Sequence, residues 1–373
     1  MDIDIRIMGR KMMKMDKISV IIPAYQPDDK LISTITELIK TGFVDILVVD
    51  DGSSAKSAAV FDTVEKIPEC TLLRHPVNKG KGAALKTAMT FFLENRPEKS
   101  CAVAADADGQ HLAKDIAAVS LAALESEKVV LGVRDFSNPN VPSRSMMGNR
   151  ITSTVFRLFF GMKIQDTQTG LRAFPRKYIP ELVAAKGDRY EYETNMLFQM
   201  NRQDIPFDQV KIETVYIDDN KSSHFRVVRD SVRIYGLILK YLFSSVAASL
   251  IDELAFYIFK KIGFPAFLPI PLTFSASLLA RVISSLVNYG MNAKLVFGDS
   301  VSKRTLAKYY VLAVAQIAIS ASLVFLVEHV FRISSPALST AAKMVIDTVL
   351  FFFSFRIQHK WVFNSKGKAS ETL

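Results

Sequence analysis

The sequence predicts an α/β domain with a mostly parallel, Rossmann-like sheet, followed by an all-α transmembrane domain of four helices. In the first half, short apolar runs alternate with amphipathic stretches, which is the pattern of successive βαβ units. In the second half, long apolar segments follow one another. The whole chain of 373 residues is 49% hydrophobic and has a mean hydropathy of +0.19. Such a chain is too long and too apolar for one ordinary soluble domain.

Five apolar runs in the first half are the predicted strands, and four amphipathic stretches are the helices that connect them. The strands are residues 18–22, 46–49, 71–73, 102–105 and 129–133. The helices are residues 31–40, 56–66, 82–93 and 112–126. Each crossover is long enough to join parallel strands. The strands therefore end at a common edge, which is where open α/β sheets bind ligands.

The fourth strand ends in two acids one residue apart, Asp106 and Asp108. The run before them is small and apolar, as expected of a buried strand, and Gly109 ends it. Mg²⁺ usually binds one or two carboxylates and completes its shell with phosphate oxygens and water. The acid pair therefore suits a metal–nucleotide diphosphate, although taken alone it is equally typical of a solvated strand end.

The other strand ends carry side chains that suit the rest of a nucleotide. A turn at residues 23–27 presents an aromatic ring where a base could rest. Acids at residues 50–51 can accept hydrogen bonds from base or ribose, and residues 78–82 open a helix with donors for phosphate. Each motif alone is also ordinary turn chemistry, but all of them meet at one sheet edge. The candidate donor-binding residues are Pro23, Ala24, Tyr25, Asp50, Asp51, Lys79, Gly80 and Ala107.

The order and spacing of these motifs resemble the family 2 glycosyltransferases of the GT-A fold. The motifs are Ile-Pro-Ala-Tyr at 22–25, Val-Val-Asp-Asp-Gly-Ser-Ser at 48–54, Asn-Lys-Gly-Lys-Gly at 78–82 and Asp-Ala-Asp-Gly-Gln-His at 106–111. Further motifs at 132–134, 148–150, 166–172 and 222–226 resemble the polyprenyl-phosphate glycosyltransferases, the group of dolichol-phosphate mannose synthase. The resemblance covers about residues 17–245.

The resemblance implies roles for particular residues of this chain. Asp106, Asp108 and Gln110 would hold a divalent cation, Mg²⁺ or Mn²⁺, with the donor diphosphate, while Tyr25 and Asp51 would lie at the nucleoside. The acceptor would be polyprenyl phosphate, which needs fixed cations around it. The residues expected at the acceptor phosphate are Arg134, Arg150, Ser223 and Arg226, and the catalytic set is Asp106, Asp108, Arg134 and Arg150.

Three further features of the first half concern the donor, the class of transferase and the sugar pocket. Gln26 and Pro27 stand where the family often has Asn-Glu, which leaves the donor open between a UDP-glucose-like and a GDP-mannose-like nucleotide sugar. The Gln-x-x-Arg-Trp motif of polymer-forming relatives is absent, because the only tryptophan is Trp361, so a polysaccharide synthase is the weaker alternative. Residues 191–196 could supply an acid to the sugar pocket or simply cap a helix.

The second half predicts four membrane spans at about residues 241–259, 267–289, 309–327 and 336–355. The third is long enough to cross a hydrocarbon core without a charged residue. The stretch 288–297 recurs as 354–363, so the chain contains two hairpins that end in the same basic, aromatic anchor. This half resembles the GtrA family of four-span proteins. Ionised residues inside the spans should pair, with Arg281 facing Asp252 and Lys343 facing Asp347.

The segments around these two domains complete the predicted organisation. Residues 1–16 are a disordered tail rather than a signal peptide, 17–225 the catalytic domain, 226–243 an interfacial amphipathic helix, 244–364 the GtrA-like transmembrane domain and 365–373 a cytoplasmic tail. The two cysteines imply no disulfide framework. Basic residues flank the spans, and the positive-inside rule puts the catalytic domain and both termini in the cytoplasm of a multi-pass cell-membrane protein.

The predicted function is transfer of a sugar, with inversion, from a nucleotide sugar to polyprenyl phosphate at the cytoplasmic membrane face. The expected partners are that donor, that acceptor and membrane lipid. The net charge of +10 is attributed to the membrane rather than to nucleic acid, and a homo-oligomer is left open. Two alternatives remain from the residues themselves: the four spans flip a lipid-linked sugar, or the chain is a scaffold with a degenerate transferase. Intact acids at 106 and 108 argue against degeneration.

Overall fold

The computed structural model describes residues 14–134, 143–213, 227–264, 272–297, 301–332 and 336–363. The chain divides into two compact units, Met1–Asp230 and Ser231–Leu373. The first unit contains the sheet and the second contains the long apolar helices. The predicted tails at 1–16 and 365–373 fall almost entirely outside the described residues.

A seven-stranded sheet with the order β3-β2-β1-β4-β6-β5-β7 forms the centre of the first unit. The pairs β1–β2, β1–β4, β2–β3 and β5–β7 are parallel, while β6 runs antiparallel to both β4 and β5. The prediction of a mostly parallel sheet is confirmed. The strands are β1 Ile18–Ala24, β2 Ile46–Asp50, β3 Cys70–Arg74, β4 Cys101–Ala104, β5 Val129–Arg134, β6 Arg172–Pro175 and β7 Phe207–Ile212.

The helices of the first unit cover a sheet whose inner strands are buried along nearly their whole length. In β2 and β4 every residue is buried, because strands covered by helices on both faces read as continuous apolar runs. The predicted helix at 56–66 is shorter than expected, since its first turn is a 3₁₀ turn at Ala55–Ser57. The helices are α1 Lys30–Thr41, α2 Ala58–Val64, α3 Lys81–Asn95, α4 Ala113–Ser126, α5 Ser143–Val155, α6 Ile179–Val183 and α7 Glu191–Arg202.

Strand β6 brings a charged side chain into the core. Arg172 is only 1% exposed. Its Nε donates to the carbonyl of Thr169 at 2.9 Å, and Nη1 donates to the carbonyl of Glu193 at 2.6 Å. Burial lowers the pKa of Arg172, with the negative charge of Glu193 acting in the opposite direction. The buried guanidinium thus joins the loop before β6 to helix α7, and both elements reach the candidate site.

Four long helices make up the second unit, as predicted: α8 Val227–Ile262, α9 Leu272–Met291, α10 Lys303–Phe331 and α11 Pro336–Ile357. The predicted amphipathic helix and first span are not separate elements, because α8 runs through both without a break. No proline interrupts that stretch of sequence. Among the described residues, Leu239–Ile262 and Lys303–Phe331 are long and apolar enough to cross a bilayer, with mean hydropathies of 1.5 and 2.3.

The two hairpins have the same local geometry at the ends of their second helices. Each helix passes into a π-helical turn, Asn292–Val296 in the first hairpin and Gln358–Val362 in the second. Nδ2 of Asn292 donates to Oε1 of Gln358 at 3.1 Å, so equivalent amides of the repeat bind one another. The rings of Phe297 and Phe363, also equivalent in the repeat, stack with centroids 5.0 Å apart. The two copies therefore pack as matched halves.

The acids inside the helices of this unit have polar partners. Asp252 forms the predicted ion pair with Arg281 at 3.0 Å and also accepts a hydrogen bond from Ser284 Oγ at 2.9 Å. Asp347 accepts a hydrogen bond from Ser320 Oγ at 2.5 Å. The predicted partner of Asp347, the Lys343 side chain, lies outside the described part of the chain.

Removal of Arg281 tests whether its pair with Asp252 is structural. We expect Arg281→Ala to lower the unfolding midpoint of the detergent-solubilised protein, because an unpaired charge in hydrocarbon costs about 2.5 kcal/mol or more. Adding Asp252→Ala should restore the midpoint, since it removes the orphaned carboxylate. Thermal unfolding of the three variants beside Thr348→Val, which removes an exposed hydroxyl from α11, measures this. A double variant as unstable as the single one would refute the pairing role.

Candidate active site

The loop between β3 and α3 is fixed by the carboxylate of Asp51. Its Oδ1 accepts the Lys79 N–H at 2.9 Å, its Oδ2 accepts the Gly80 N–H at 2.8 Å, and the Nδ1 atom of His75 lies 2.7 Å from Oδ1. Asp51 is 2% exposed. Because these contacts are internal, Asp51 shapes the loop, and its direct contact with a nucleoside stays a prediction.

Two glycines of this loop allow it to approach helix α7 closely. A Cβ on Gly80 would lie 2.5 Å from the carbonyl oxygen of Asp188, and Gly80 has a φ of +106°, which side chains rarely adopt. A Cβ on Gly82 would lie 2.4 Å from Cβ of Tyr192. Larger residues would separate the two elements, so the glycines set the start of α3 against the start of α7.

Lys81, the first residue of α3, lies between two carboxylates. Its Nζ is 2.6 Å from Oδ1 of Asp106 and 3.0 Å from Oε1 of Glu193. Burial by itself would lower the pKa of Lys81, but the charges of Asp106 and Glu193 outweigh it and raise the pKa. Burial likewise acts to raise the pKa of Asp106, but Lys81 and His111 lower it to about 2. Lys81 and Asp106 are therefore both ionised near neutral pH.

The side chain of Lys81, rather than that of the predicted Lys79, lies beside the acids of the site. The side chain of Lys79 is exposed, and the hydrogen bond described for this residue is made by its backbone N–H. The reason lies in helix geometry, because only Lys81 belongs to α3 and projects from its first turn toward the end of β4.

Asp108 has excess negative charge around it. Its Oδ1 accepts the backbone N–H of Gln110 at 3.0 Å. Burial, and then the charge of Asp106, raise the pKa of Asp108 above its ordinary value. In the described part of the chain, no group of three or more His, Cys, Asp and Glu side chains is arranged to hold a metal ion by itself. Two carboxylates with unbalanced charge fit a divalent cation that completes its shell with phosphate oxygens.

The loop at 166–172 packs directly against Asp106. A Cβ on Gly170 would lie 2.4 Å from Oδ2 of Asp106, so only glycine leaves room for the carboxylate. Arg134 at the end of β5 binds the fully buried Asp166 through two hydrogen bonds, Nε to Oδ2 at 2.6 Å and Nη2 to Oδ1 at 3.0 Å. Arg134 therefore fixes this loop, and part of its donor capacity is already used.

Helix α5 carries the second predicted arginine. Asn149 joins the helix to the same loop, since its Oδ1 accepts the Thr167 N–H at 3.0 Å and its Nδ2 donates to the carbonyl of Gln165 at 2.5 Å. The neighbouring Arg150 is exposed, and no described residue forms an ion pair with it. Ser223 and Arg226, the remaining predicted acceptor residues, lie outside the described residues.

The predicted donor-binding residues on β1 and β2 lie in different environments. Tyr25 is 48% exposed, which leaves a ring face for a ligand. Pro23 and Ala24 belong to strand β1 rather than to the turn expected there, because they pair with β2. Asp50 is buried and accepts the Ser53 N–H at 2.9 Å. Ala107 is half-buried between the two acids.

Sequence reasoning did not predict the contacts of four residues in this arrangement: His75, Lys81, Gly170 and Glu193. Three of them stand within or beside quoted motifs, but motif spacing does not say which side chain turns inward. The pattern around Glu193 was compatible with helix capping, and the ion pair with Lys81 gives its side chain a place at the site. His75 carries no motif, and only the fold brings its ring to Asp51.

Comparison with known proteins supports these assignments of fold and class. Residues 19–183 match the model "Glycosyl transferase family 2", and residues 229–368 match "GtrA/DPMS, transmembrane domain". The UDP-N-acetylglucosamine–dolichyl-phosphate N-acetylglucosaminyltransferase of Methanococcus voltae is 30% identical over 60% of this chain and 95% of its own length. The polyprenol monophosphomannose synthase of Mycolicibacterium smegmatis is 28% identical over 46% of this chain and 67% of its own.

A solved structure aligns with part of this chain at lower similarity. Mannosyl-3-phosphoglycerate synthase from Rubrobacter xylanophilus aligns with 17% identity and a TM-score of 0.49, over 61% of this chain and 75% of that chain. At this level the likeness carries no functional argument. The two family matches, with the relative matched over almost its full length, are sufficient to assign the family. The chain is a membrane protein that belongs to the family 2 glycosyltransferases and joins a GT-A-like catalytic domain to a GtrA/DPMS transmembrane domain.

Proposed function

We propose that this enzyme transfers a sugar from a nucleotide diphosphate sugar to polyprenyl phosphate. The observation that carries the proposal is the contact of Lys81 with both Asp106 and Glu193 beside Asp108, in a chain that continues into membrane helices. The named relatives act on dolichyl or polyprenol phosphates, which supports the acceptor class. A metal–diphosphate at Asp106 and Asp108 and a lipid phosphate acceptor are therefore the two substrates to test.

The donor diphosphate would lie at the carboxyl end of β4. Asp106 and Asp108, with Gln110 beside them, would hold Mg²⁺ or Mn²⁺, which when bound neutralises the charge that develops on the leaving diphosphate. Lys81 holds Asp106 in one position through a contact of 2.6 Å, and Gly170 leaves room for that carboxylate. The exposed ring of Tyr25 offers a face to the nucleobase.

The chemical step needs no general base of its own. The acceptor phosphate has a second pKa near 6, so an anionic oxygen is already present at neutral pH. We propose that this oxygen attacks the sugar carbon directly, with inversion, while the diphosphate leaves. Glu193 is proposed as a positioning group, because its carboxylate binds the Nζ atom of Lys81 at 3.0 Å.

The names of the relatives give different sugars, so several nucleotide sugars are candidates for the donor. One relative uses N-acetylglucosamine by its name and another mannose, and a third, from Trichomonas vaginalis, is a dolichyl-phosphate β-glucosyltransferase at 25% identity. We further propose four spans with the catalytic domain on the cytoplasmic face, supported by the basic residues that flank the helices.

The decisive experiment supplies both substrates and identifies the lipid. Membranes containing the full chain are incubated with UDP-glucose, UDP-N-acetylglucosamine or GDP-mannose and with undecaprenyl or dolichyl phosphate. Mass spectrometry of the lipid extract should find one glycosyl-phosphoryl lipid in the wild type and none in Asp108→Ala. Formation of a polymer, or of no lipid product from any donor, would refute the proposal.

Arg150 tests the acceptor half of the site. Two anions must approach one another, and an arginine fork binds phosphate more specifically than an ammonium does. We expect Arg150→Ala to raise the KM for polyprenyl phosphate at least tenfold, by about 1.4 kcal/mol, with the KM for nucleotide sugar nearly unchanged. Arg150→Lys should restore only part of the loss.

The control for this prediction is Arg202→Ala, at the end of α7, which should leave both KM values unchanged. Steady-state kinetics with each substrate varied in turn provides the comparison. Equal increases of both KM values in Arg150→Ala would argue that the residue shapes the whole domain rather than the acceptor site.

A further inference from the structure

The imidazole of His75 lies just beyond strand β3 and has a partner at each ring nitrogen. Nδ1 is 2.7 Å from Oδ1 of Asp51, and Nε2 is 2.9 Å from Oγ1 of Thr87 in helix α3. The side chains of His75 and Asp51 are only 5% and 3% exposed. A buried ring with both nitrogens bonded has one orientation. His75 therefore connects the residue that follows β2 with helix α3.

The partners of the ring determine which nitrogen donates. A carboxylate oxygen only accepts, so the Nδ1–H group of His75 donates to Asp51. In the neutral ring Nε2 is then an acceptor, and the hydroxyl of Thr87 donates to it. The bond at one nitrogen of a histidine commonly sets the role of the other. Thr87 therefore supports the form of the ring that donates to Asp51.

Three hydrogen bonds meet at the carboxylate of Asp51, and the one from His75 is the shortest. The other two come from the backbone N–H groups of Lys79 and Gly80, at 2.9 and 2.8 Å. His75 and Lys79 share the same acceptor, Oδ1. The imidazole therefore fixes the oxygen to which the loop between β3 and α3 is attached.

This loop leads directly to the acids of the candidate site. Gly80, whose N–H binds Asp51, is followed by Lys81, the first residue of α3. The Nζ atom of Lys81 lies 2.6 Å from Oδ1 of Asp106. A continuous series of contacts thus runs from His75 through Asp51 and the loop to Asp106. A displaced loop would move Lys81, and with it the carboxylate proposed to hold the metal–diphosphate.

We propose that His75 is a positioning residue of the donor site, which acts through Asp51 to hold the loop between β3 and α3 in place for a nucleoside diphosphate. The inference rests on the proposed function for the identity of this ligand. Loss of the Nδ1–H group would remove one of three donors from a buried carboxylate, which is costly. The loop should then open more often, and nucleoside diphosphate should bind more weakly.

Two amide variants separate the roles of the two ring nitrogens. The side-chain nitrogen of asparagine can take about the place of Nδ1, whereas that of the longer glutamine can take about the place of Nε2. His75→Asn therefore keeps a donor for Asp51, His75→Gln keeps only a partner for Thr87, and His75→Leu keeps neither. Thr36→Val is the control, because it removes an exposed hydroxyl from helix α1.

Nucleotide binding is the first measurement. The full chain in phosphatidylcholine nanodiscs is titrated calorimetrically with UDP and with GDP, in the presence of Mg²⁺. For the nucleotide that the wild type binds, we expect His75→Leu and His75→Gln to lose about tenfold in affinity, the size of one lost hydrogen bond to a charged group. His75→Asn should stay within about threefold of the wild type, and Thr36→Val should equal it.

Hydrogen exchange of the loop is the second measurement and needs neither nucleotide nor turnover. Exchange of backbone amides reports local opening of a structure. The peptide that contains Lys79 and Gly80 should exchange faster in His75→Leu and His75→Gln than in the wild type and His75→Asn. Peptides from helix α1 should exchange equally in all of them. Faster exchange throughout the domain would show a general structural role and would overturn the inference.

The remaining outcomes separate this inference from the proposed function. Equal affinities in the wild type, His75→Leu and His75→Gln would overturn the role of His75, as would a larger loss in His75→Asn than in His75→Gln. A wild type that binds neither UDP nor GDP would refute the donor class and the inference together. A wild type that binds nucleotide in the expected order of variants but forms no glycosyl lipid would refute only the proposed function.

Discussion

Asp108→Ala is expected to lose about a hundredfold to a thousandfold in transfer rate, the scale seen when a preorganised group that stabilises developing charge is removed. Asp108 is one of two acids proposed to hold the metal–diphosphate, and Asp106 is already bound to Lys81. Without Asp108 the cation loses one of its two proposed carboxylate ligands, and the remaining one is paired with Lys81. The donor should therefore bind more weakly as well as react more slowly.

Two comparisons make this result specific. Asp62→Ala removes an exposed acid from α2 and should leave the rate unchanged. Isothermal titration with nucleotide diphosphate, with and without Mg²⁺, should show that the metal increases affinity in the wild type but not in Asp108→Ala. Full wild-type turnover in chelator without added metal would contradict the proposed role.

Gly170→Ala is expected to reduce transfer about a hundredfold, although it adds a single methyl group. The added Cβ would lie 2.4 Å from Oδ2 of Asp106, a distance that real Cβ atoms do not adopt, so the carboxylate must move. Misplacement of a reacting or binding group by about 1 Å can cost on the order of 100-fold in rate. The expected signature is a lower kcat, with a smaller loss of thermal stability.

A second glycine provides the matched control. Gly148 lies in helix α5, and a Cβ there meets nothing within 4 Å. Gly148→Ala should keep full activity and raise the free energy of unfolding by up to about 1 kcal/mol, because alanine favours helix over glycine. Equal kinetics for Gly170→Ala and the wild type would show that Asp106 has room to move without consequence.

The central strands could be predicted from sequence because burial on both faces leaves a plain apolar signal. β1, β2, β4 and β5 were located within two residues of their observed ends. β6 was missed, because its residues Arg172–Pro175 include a charge and a proline. Its antiparallel direction depends on how the chain returns to the sheet after α5, which the composition of β6 does not indicate. β7 is an edge strand that is only half-buried, and its pattern is weak for that reason.

The site shows the same division between local and tertiary information. Asp106 and Asp108 could be recognised because strand, turn and acid are adjacent in sequence. The surroundings of Asp106 could not be predicted, because Lys81, its neighbour Gly170 and the Lys81 partner Glu193 come from three distant segments that meet only in the folded domain. In the membrane unit, the repeat predicted the hairpins correctly, but it could not predict that its two equivalent amides would face each other.

The contact between those two amides has a consequence for how the protein is made. Oδ1 of Asn292 accepts a hydrogen bond from Ser244 Oγ, a residue of the first hairpin, whereas Nδ2 donates to Gln358 of the second. With the four spans proposed above, the first hairpin would enter the bilayer before Gln358 has been translated. The Asn292 amide would then stay without that partner until the second hairpin follows. Insertion of the second hairpin would complete the hydrogen bond between Asn292 and Gln358, so neither hairpin would reach its final structure before the other.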